Sequence, residues 1–496
     1  MTLRSQDPRI AIIGGGIAGA TAAVHLGELG LNVVLMEKSA GLVSGPPICH
    51  LHAGGNLYRE ISEQQCIDLL EQSIETVRLY PHTLNVRPTL IAIPQSDPGQ
   101  PEEILPRLVT IQNAYRKLVE QDAANQVLGA VDNYYRLYQR EELERLAQQQ
   151  QANPPQSDDD WVIPFAQHAD LTQLKYPVVL VQEYGWSVFR LAASVDLTLE
   201  ALPNCQVMLR TELVDATFQD NLWRLTYLDA QGERHTQTVD YLVNACGFET
   251  GRVDDMARHH RQRLVEFKAA YVTHWPACHQ WWPEVIFHGP RGSEDGMAQL
   301  TPYADGTFQL HGMTESITLF ADGLVASTPT SAQPKLPLYL QHKIERGWPM
   351  SAQQERTVRA IQHMSRFVPS FDNAEFAGTP LFGAQQIPGD DVTLRAADVS
   401  FEANQYARLE VVKGSSALRA ARQLVAIWQL KPDAGELSIE AEHPCSMAFT
   451  AQQVEQQAIR LCHARGYPAA LAKCMGFKVS ITEVLKTEVS KNGKDQ

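Results

Sequence analysis

Apolar positions near the N-terminus fall into two short runs with a stretch of small residues between them. The first run, Ile10–Ile13, is of the type that forms a buried strand, and the second, Val33–Met36, ends at Glu37. Between the two runs, an alanine-rich stretch extends to Gly30 and is typical of a helix. The pattern predicts a strand, a turn, a helix and a second strand.

Helical and extended patterns alternate along the rest of the chain. Helical spacing predicts single helices at 67–80, 187–202 and 352–366, two helices within 101–147 that break near Gly129, and two short helices within 450–476. Apolar runs with turn signals predict strands at 89–94 and 176–185, a hairpin within 207–247 that turns at Asp220-Asn221 and Gln231-Gly232, and an antiparallel sheet within 262–325. The stretch 148–160 has few apolar residues and two prolines, and it is predicted to be an exposed loop.

A glycine motif lies between the first strand and the first helix. Its spacing, Gly14-x-Gly16-x-x-Gly19, lets the chain turn tightly and brings the backbone close to a pyrophosphate at the helix N-terminus. Glu37 ends the second strand, where a carboxylate accepts hydrogen bonds from ribose hydroxyls and disfavours the 2′-phosphate of NADP. The unit therefore predicts an adenine dinucleotide. Its predicted contacts are Gly14, Gly16, Ile17, Ala18, Gly19, Glu37 and Lys38.

Three later segments complete a resemblance to a known family. They are the strand end VNACG (243–247), the stretch FGAQQIPGDD (382–391) and the turn and helix KGSSALRAARQ (413–423). In this order, and after the N-terminal unit, they resemble the D-amino-acid-oxidase superfamily of FAD flavoproteins, which also holds glycine oxidase, 2-hydroxyglutarate dehydrogenase and malate:quinone oxidoreductase. The resemblance spans about residues 8–430 and implies that the dinucleotide is FAD.

The same resemblance implies a fold and a division of the chain. The fold class is α/β (α+β), with a Rossmann-like FAD-binding domain around a central parallel sheet, a substrate domain built on an antiparallel sheet, and a helical C-terminal extension. The implied ranges are 8–80, 177–260 and 370–430 for the FAD-binding domain, 81–176 and 261–369 for the substrate domain, and 431–496 for the extension. Further implied cofactor contacts are Val214 beside the adenine, Lys413, Gly414, Ser415, Ser416 and Ala417 near the pyrimidine edge of the flavin, and Ala245, Gly247 and Gly383.

The stretch PICHLHAGG (47–55) holds two histidines and a turn of small residues. Its spacing from Glu37 is similar to that in malate:quinone oxidoreductases and 2-hydroxyglutarate dehydrogenases, where such a turn packs against the flavin, so the resemblance implies cofactor contacts by His52, Ala53, Gly54 and Gly55. Small residues allow the backbone to approach a planar ring closely. His50 is interpreted as a histidine that satisfies backbone groups.

Two candidate catalytic residues follow, His52 and Arg59. His52 has four interpretations, which the sequence leaves open: packing against the cofactor, acid/base or substrate contact, covalent attachment of the flavin, and metal ligation with Cys49. No acidic or Cys/His partner lies at a recognisable spacing, so no metal is predicted. Arg59 either anchors a substrate carboxylate or lies at the start of a helix.

One departure from the family pattern bears on the substrate. Many amine-oxidising relatives carry an arginine in a Gly-x-Arg-Pro context before the last flavin loop, whereas Gln385 occupies that place here. This weakens an amino-acid-oxidase interpretation and leaves hydroxy acids and unusual amines open. In the predicted substrate sheet, at least one member of a polar cluster is expected to line the pocket, namely His274, His288, Tyr303 or His311.

Composition and charge narrow the class of protein. The net charge of −15 and the lack of a basic run argue against nucleic-acid binding. Eight cysteines without a CxxC pair indicate a reducing cytoplasm, the first strand leaves no room for a signal peptide, and no apolar run of about 18 residues exists to span a membrane. Cytoplasmic localisation is expected, with contact to the inner membrane face left open. The oligomeric state is not predicted.

The predicted function is an FAD-dependent oxidoreductase. It would oxidise a CH–OH or CH–NH bond of a small molecule by hydride transfer to the flavin, with oxygen or a quinone-type acceptor taking the electrons. A second dinucleotide motif, which would indicate reduction by NAD(P)H, is absent from the sequence. The alternatives are a flavin monooxygenase or halogenase, which DDWVIPFA (159–166) partly resembles, and a non-catalytic FAD-binding protein.

Overall fold

The computed structural model describes residues 8–45, 51, 61–395, 399–431 and 437–475. Within these residues the strands are β1 Arg9–Ile13, β2 Asn32–Glu37, β3 Leu84–Asn85, β4 Thr89–Pro94, β5 Tyr135–Tyr138, β6 Leu174–Val181, β7 Gly185–Trp186, β8 Cys205–Leu209, β9 Glu212–Gln219, β10 Leu222–Leu228, β11 Arg234–Val239, β12 Tyr241–Asn244, β13 Arg263–His274, β14 Glu284–Phe287, β15 Ala298–Pro302, β16 Thr307–Gly312, β17 Leu324–Ala326, β18 Glu375–Phe376, β19 Leu381–Pro388, β20 Val399–Glu402 and β21 Tyr406–Leu409. The helices are α1 Ile17–Glu28, α2 Glu63–Leu79, α3 Leu105–Gln121, α4 Arg140–Leu146, α5 Asp158–His168, α6 Val188–Ala201, α7 Thr250–Ala257, α8 Leu338–Arg346, α9 Met350–Ser365, α10 Ala417–Ile427, α11 Ile439–Glu442, α12 Pro444–Met447 and α13 Ala451–Ala464.

A six-stranded sheet carries the N-terminal unit. Its strand order is β20-β21-β12-β1-β2-β8, and every pairing is parallel except that of β20 with β21. Ile13, Glu37 and Asn244 end three neighbouring strands and therefore meet at one edge. In open parallel sheets, ligands bind outside this carboxyl edge. The predicted strand, turn, helix and strand of the Rossmann-like unit are confirmed.

A larger sheet lies in the middle and later parts of the chain. It runs β17-β13-β16-β15-β14-β4-β6-β5, and β18 and β19 also pair with β13. Within it only β14 and β4 pair in parallel. Buried aromatic residues form much of its core, with Trp275 contacting Trp282, Phe308 and Phe371. The antiparallel sheet predicted within 262–325 is confirmed.

Sheet membership suggests different domain ranges from those that the sequence implied. The whole of β6 pairs with β4 and β5, and β19 pairs with β13 along its length. Residues 177–181 and 381–388 therefore belong to the larger sheet, although the expected ranges assign them to the FAD-binding domain. We propose that the substrate domain includes both segments.

A three-stranded sheet, β11-β10-β9, covers one face of the six-stranded sheet. Its predicted turns are present, since Asp220, Asn221 and Gly232 all have positive φ angles of 54°, 59° and 79°. A register shift in the pairing of β9 with β10 leaves Val214 without an opposing residue, between Leu213 and Asp215. Such a bulge bends the strand locally.

Two local predictions are correct only in part. The two helices predicted within 101–147 are present as α3 and α4, on either side of Gly129, but the chain first forms β5 after Gly129. The aromatic residues of β5 favour a strand, which pairs with β6. The exposed loop predicted for 148–160 ends early, because α5 starts at Asp158. Three aspartates in its first turn favour the positive end of the helix dipole, and the Ser157 hydroxyl accepts a hydrogen bond from the Asp160 amide.

The C-terminal extension packs on α6 and on strand β13 of the larger sheet, where Ala270 and Val272 belong to the same buried cluster as the extension. Helix α13 buries Val454, Ala458 and Cys462 in a cluster with Phe189 and Ala193 of α6. No helix in the described residues is long and apolar enough to cross a membrane.

Candidate active site

A cavity of about 720 Å³ lies where the carboxyl edge of the six-stranded sheet faces the larger sheet. Twelve of the predicted cofactor contacts line it: Gly14, Gly16, Ile17, Ala18, Glu37, Lys38, Ala245, Gly247, Gly383, Lys413, Gly414 and Ser415. The cavity also reaches β13–β16, so one space joins the glycine turn to the substrate sheet.

Glycine occupies each of the three motif positions for a different structural reason. Gly14 has φ +99°, and a Cβ there would lie 2.5 Å from the carbonyl oxygen of Ala245. A Cβ on Gly19 would lie 1.9 Å from the carbonyl oxygen of Gly14, so Gly19 allows the helix to pack on the turn. A Cβ on Gly16 would meet no atom within 4 Å, although Gly16 lines the cavity. The space above Gly16 is therefore open to a ligand.

The N-terminus of α1 is suited to an anion. Gly16 is the N-cap residue of α1, and no side chain accepts a hydrogen bond from the free amides there. No acidic residue lies in the first turn of the helix. Exposed amides and the helix dipole at such a terminus favour a negatively charged group.

Glu37 lies beside the glycine turn and is only 7 % exposed. One carboxylate oxygen accepts the Gly15 amide at 2.6 Å, and the other accepts the Ser39 amide at 2.7 Å. A carboxylate has about four acceptor positions, so these two bonds leave capacity for a ligand hydroxyl. Glu37 thus braces the turn and still faces the cavity.

Charged pairs surround the part of the cavity near β9. Lys38 pairs with Glu249, and Arg252 bonds Glu212 at 2.8 Å. Here Leu213 and Glu212 line the cavity.

Of the predicted cofactor contacts that the structure describes, four do not line the cavity. Val214 occupies the bulge next to Leu213, whereas Gly19 faces the turn. The Ser416 hydroxyl donates to Gln72 at 2.6 Å, and Ala417 is buried at the start of α10.

The turn before α10 packs tightly against the glycine unit. A Cβ on Gly414 would lie 2.6 Å from Ile17 and 2.8 Å from Trp186. The hydroxyl of Thr76 donates to the carbonyl oxygen of Ser415 at 2.9 Å. The backbone of Lys413–Ser415 is therefore held at the wall of the cavity.

A charged group lies on the substrate-sheet wall. The Lys268 Nζ is 2.9 Å from one Glu266 oxygen, and Arg291 pairs with the other oxygen. Burial lowers the pKa of Lys268, while the neighbouring Glu266 carboxylate opposes that shift. Lys268 and Arg395 both line the cavity. Neither residue was predicted from the sequence. A lone lysine within the apolar run EFKAAYV (266–272) indicates a buried charged group and could have identified Lys268.

The polar cluster predicted in the substrate sheet divides into two pairs. His288 and His311 line the cavity, and His274 and Tyr303 do not. Gln385, which occupies the place of the family arginine, also lines the cavity, and it pairs in register with Glu266. Trp161 and Ile163 of the halogenase-like stretch are buried in α5, away from the cavity.

The loop with the predicted catalytic residues lies outside the described residues. These residues are the candidate catalytic residues His52 and Arg59 and the other residues named in that loop, Cys49, His50, Ala53, Gly54 and Gly55. Leu51 is described: it is buried, lines the cavity, and its amide donates to the Tyr184 carbonyl oxygen at 2.9 Å.

Comparison with known proteins gives one family match. Residues 9–389 match the model of the DAO family, described as FAD dependent oxidoreductase. A comparison with curated protein sequences found no match.

Solved structures share the fold at low sequence identity. Glycine oxidase from Geobacillus kaustophilus is 13 % identical with a TM-score of 0.55, covering 88 % of this chain and 98 % of that chain. L-amino acid deaminase from Proteus vulgaris is 13 % identical with a TM-score of 0.54, covering 90 % and 99 %. L-alpha-glycerophosphate oxidase from Mycoplasma pneumoniae, solved with FAD bound, is 15 % identical with a TM-score of 0.53, covering 86 % and 95 %. At these identities the likeness concerns the fold alone.

Proposed function

The chain belongs to the DAO family of FAD-dependent oxidoreductases, and from this premise we propose that it oxidises a small anionic molecule at a carbon bearing a hydroxyl or amino group. The observation that carries the substrate class is the position of Lys268, which lines the cavity that the glycine turn opens into and is paired with Glu266.

The residues of the six-stranded sheet fit FAD. The open space above Gly16 and the uncapped end of α1 suit its diphosphate, and Glu37 suits a ribose. We propose that the lining residues Gly14, Gly16, Ile17, Ala18, Glu37, Lys38, Ala245, Gly247, Gly383, Lys413, Gly414 and Ser415 hold it, and that Gly19, Val214, Ser416 and Ala417 shape the walls. When bound, FAD accepts the hydride that leaves the substrate carbon.

Two basic side chains, Lys268 and Arg395, line the substrate side of the cavity. The carboxylate that pairs with Lys268, Glu266, is shared with Arg291. A lysine ammonium has three donors, and Glu266 occupies one of those of Lys268. A carboxylate or phosphate of the substrate is bound by the remaining donors of Lys268.

The proton on the substrate hydroxyl or ammonium group must leave with the hydride. We assign this step to His52, with Arg59 as a second anchor for the anionic group. The support is the position of Leu51, which directly precedes His52 and lies in the cavity wall. A histidine near neutrality exchanges protons readily.

The test is anaerobic mixing of the purified yellow protein with matched pairs of compounds. Each pair holds an anion, such as a 2-hydroxy acid, an amino acid or glycerol phosphate, and a counterpart without the negative charge. One class of anion should bleach the flavin, with the counterpart at least about tenfold slower, as expected for loss of a charged hydrogen bond. Equal bleaching by a counterpart would contradict the anionic substrate. Oxygen uptake and reduction of a soluble quinone then identify the acceptor.

A further inference from the structure

The C-terminal extension contributes to the cofactor cavity although it lies beyond the family match. The match ends at residue 389, whereas Arg465 and Tyr467 line the cavity. Arg465 directly follows α13 as its C-cap residue, and Tyr467 donates from its hydroxyl to the Pro380 carbonyl oxygen at 3.1 Å.

The guanidinium of Arg465 binds the loop that follows Glu37. Its two terminal nitrogens donate to the carbonyl oxygens of Leu42 at 2.6 Å and Val43 at 2.9 Å. On its other side, the same loop is tied to the glycine turn, because the Val43 amide donates to the Gly15 carbonyl oxygen at 2.8 Å. The loop 41–45 thus connects Arg465 to the glycine turn, which faces the space proposed for the diphosphate.

The loop has a conformation that needs outside support. Val43 has φ +48°, and a β-branched residue in the left-handed region is unfavourable unless its surroundings hold it there. The bonds from Gly15 and Arg465 supply that support from two sides. Val43, Ser44 and Gly45 all line the cavity, so the position of this loop determines the shape of the cofactor space.

Arg465 brings a guanidinium group to the cavity wall. Burial lowers the pKa of Arg465, and the charge of Asp196 opposes that shift. Within the described residues no carboxylate lies within ion-pair distance of Arg465; its hydrogen-bond partners are neutral carbonyl groups, and the Phe189 ring lies 5.6 Å from the guanidinium carbon. A cation at a dinucleotide cavity favours the doubly charged diphosphate.

We propose that Arg465 is a positioning residue for FAD, which makes retention of the cofactor depend on the C-terminal extension. The proposal rests on FAD occupying this cavity. Arg465 holds the loop 41–45 against the glycine turn, and its charge adds to the attraction for the diphosphate.

The test compares the wild type with Arg465→Ala, Arg465→Lys and Arg460→Ala. Arg460 lies exposed on α13 and is the matched control. Apoprotein is titrated with FAD, and thermal unfolding is followed with and without FAD. Arg465→Ala should raise the Kd of FAD at least tenfold. Arg465→Lys should lie between it and the wild type, because an ammonium keeps the charge but not the fork that spans two carbonyl groups. Arg460→Ala should match the wild type.

The unfolding curves separate positioning from general stability. A ligand that binds the folded state raises Tm according to its Kd, so Arg465→Ala should show a reduced Tm increment from FAD and an apoprotein Tm close to that of the wild type. An unchanged Kd overturns the proposal, and so does an apoprotein Tm that falls by as much as the holoprotein Tm. If Arg465→Ala does not fold, a Kd of Arg465→Lys equal to that of the wild type overturns it. A wild type that binds no FAD contradicts the cofactor site itself.

Discussion

The ammonium nitrogen of Lys268 lies 2.9 Å from a carboxylate oxygen of Glu266, two residues earlier on β13. Residues two apart on a strand project to the same face, so the strand itself sets this pair. Both side chains are mostly buried, at 14 % and 8 % exposure, and Arg291 neutralises the second carboxylate oxygen. Glu266 therefore holds the Lys268 side chain at the cavity wall and opposes the lowering of its pKa by burial.

Replacing Lys268 by methionine should weaken substrate binding. The substitution keeps the length of the side chain but removes its donors, and loss of a charge-assisted hydrogen bond costs about 1.5–3 kcal/mol, or roughly 10- to 150-fold in affinity. Flavin reduction at varied substrate concentration should show a raised apparent Kd with a smaller change in the limiting rate. Lys335→Met, at an exposed lysine, is the control. An unchanged Kd in Lys268→Met would remove this residue from the substrate site.

His52→Ala should slow flavin reduction by about 10²- to 10⁴-fold if His52 is the base. The protein should still fold and hold FAD, because the glycine turn and Glu37 lie elsewhere in the chain. If the flavin is instead attached to His52, acid precipitation will release flavin from the variant and not from the wild type. His50→Ala is the neighbouring control and should have a smaller effect in both assays. Equal rates and equal release would leave His52 with a packing role.

The contact between His25 and His443 predicts a pH-dependent stability. His443 Nδ1 lies 2.7 Å from the Ile439 carbonyl oxygen, so it is protonated, and His443 Nε2 accepts from His25 Nδ1 at 3.0 Å. Burial lowers the pKa of both histidines; the charge of Arg422 adds to this for both, whereas Glu442 and Glu28 act in the opposite sense on His443.

The sign follows from the lowered pKa values. Below about pH 6.5, the ordinary pKa of histidine, these two histidines take up protons in the unfolded chain but not in the folded chain. Their contribution to the free energy of unfolding is therefore complete above that pH and is lost as the pH falls. Urea unfolding should therefore show a lower midpoint at pH 5.5 than at pH 7.5. His443→Gln should be less stable at pH 7.5 and should lose less on acidification, whereas His463→Gln, at an exposed histidine, should follow the wild type. If the urea midpoints of the wild type and His443→Gln fall in parallel with pH, the His25–His443 contact is not the source of the pH dependence.

The sequence was most informative where structure is local. Gly14, Gly16 and Gly19 lie close together in the sequence, between the end of β1 and the first turn of α1. The need for glycine at these positions can be inferred from the strand before them and the helix after them. The segment Tyr135–Tyr138 was missed because four residues are too few to distinguish the strand period from the helix period. Its pairing with β6, nearly forty residues later, selects the strand.

The substrate wall could be predicted less well, because distant strands assemble it. Lys268 pairs in register with Gly383 of β19, and both residues line the cavity. Arg465 reaches a loop that is 422 residues earlier in the chain, and no local pattern specifies such a contact. Val214 was chosen by resemblance, and the bulge in β9 places its neighbour Leu213 in the cavity wall instead.

The most direct test of the account is the FAD content of Gly16→Val. The central claim is that the cavity at the glycine turn is the FAD site, and a side chain at Gly16 would enter the open space above it. The wild type should purify with one FAD per chain, and Gly16→Val should hold none while keeping the unfolding profile of the apoprotein. A folded Gly16→Val protein with full flavin content would contradict the claim.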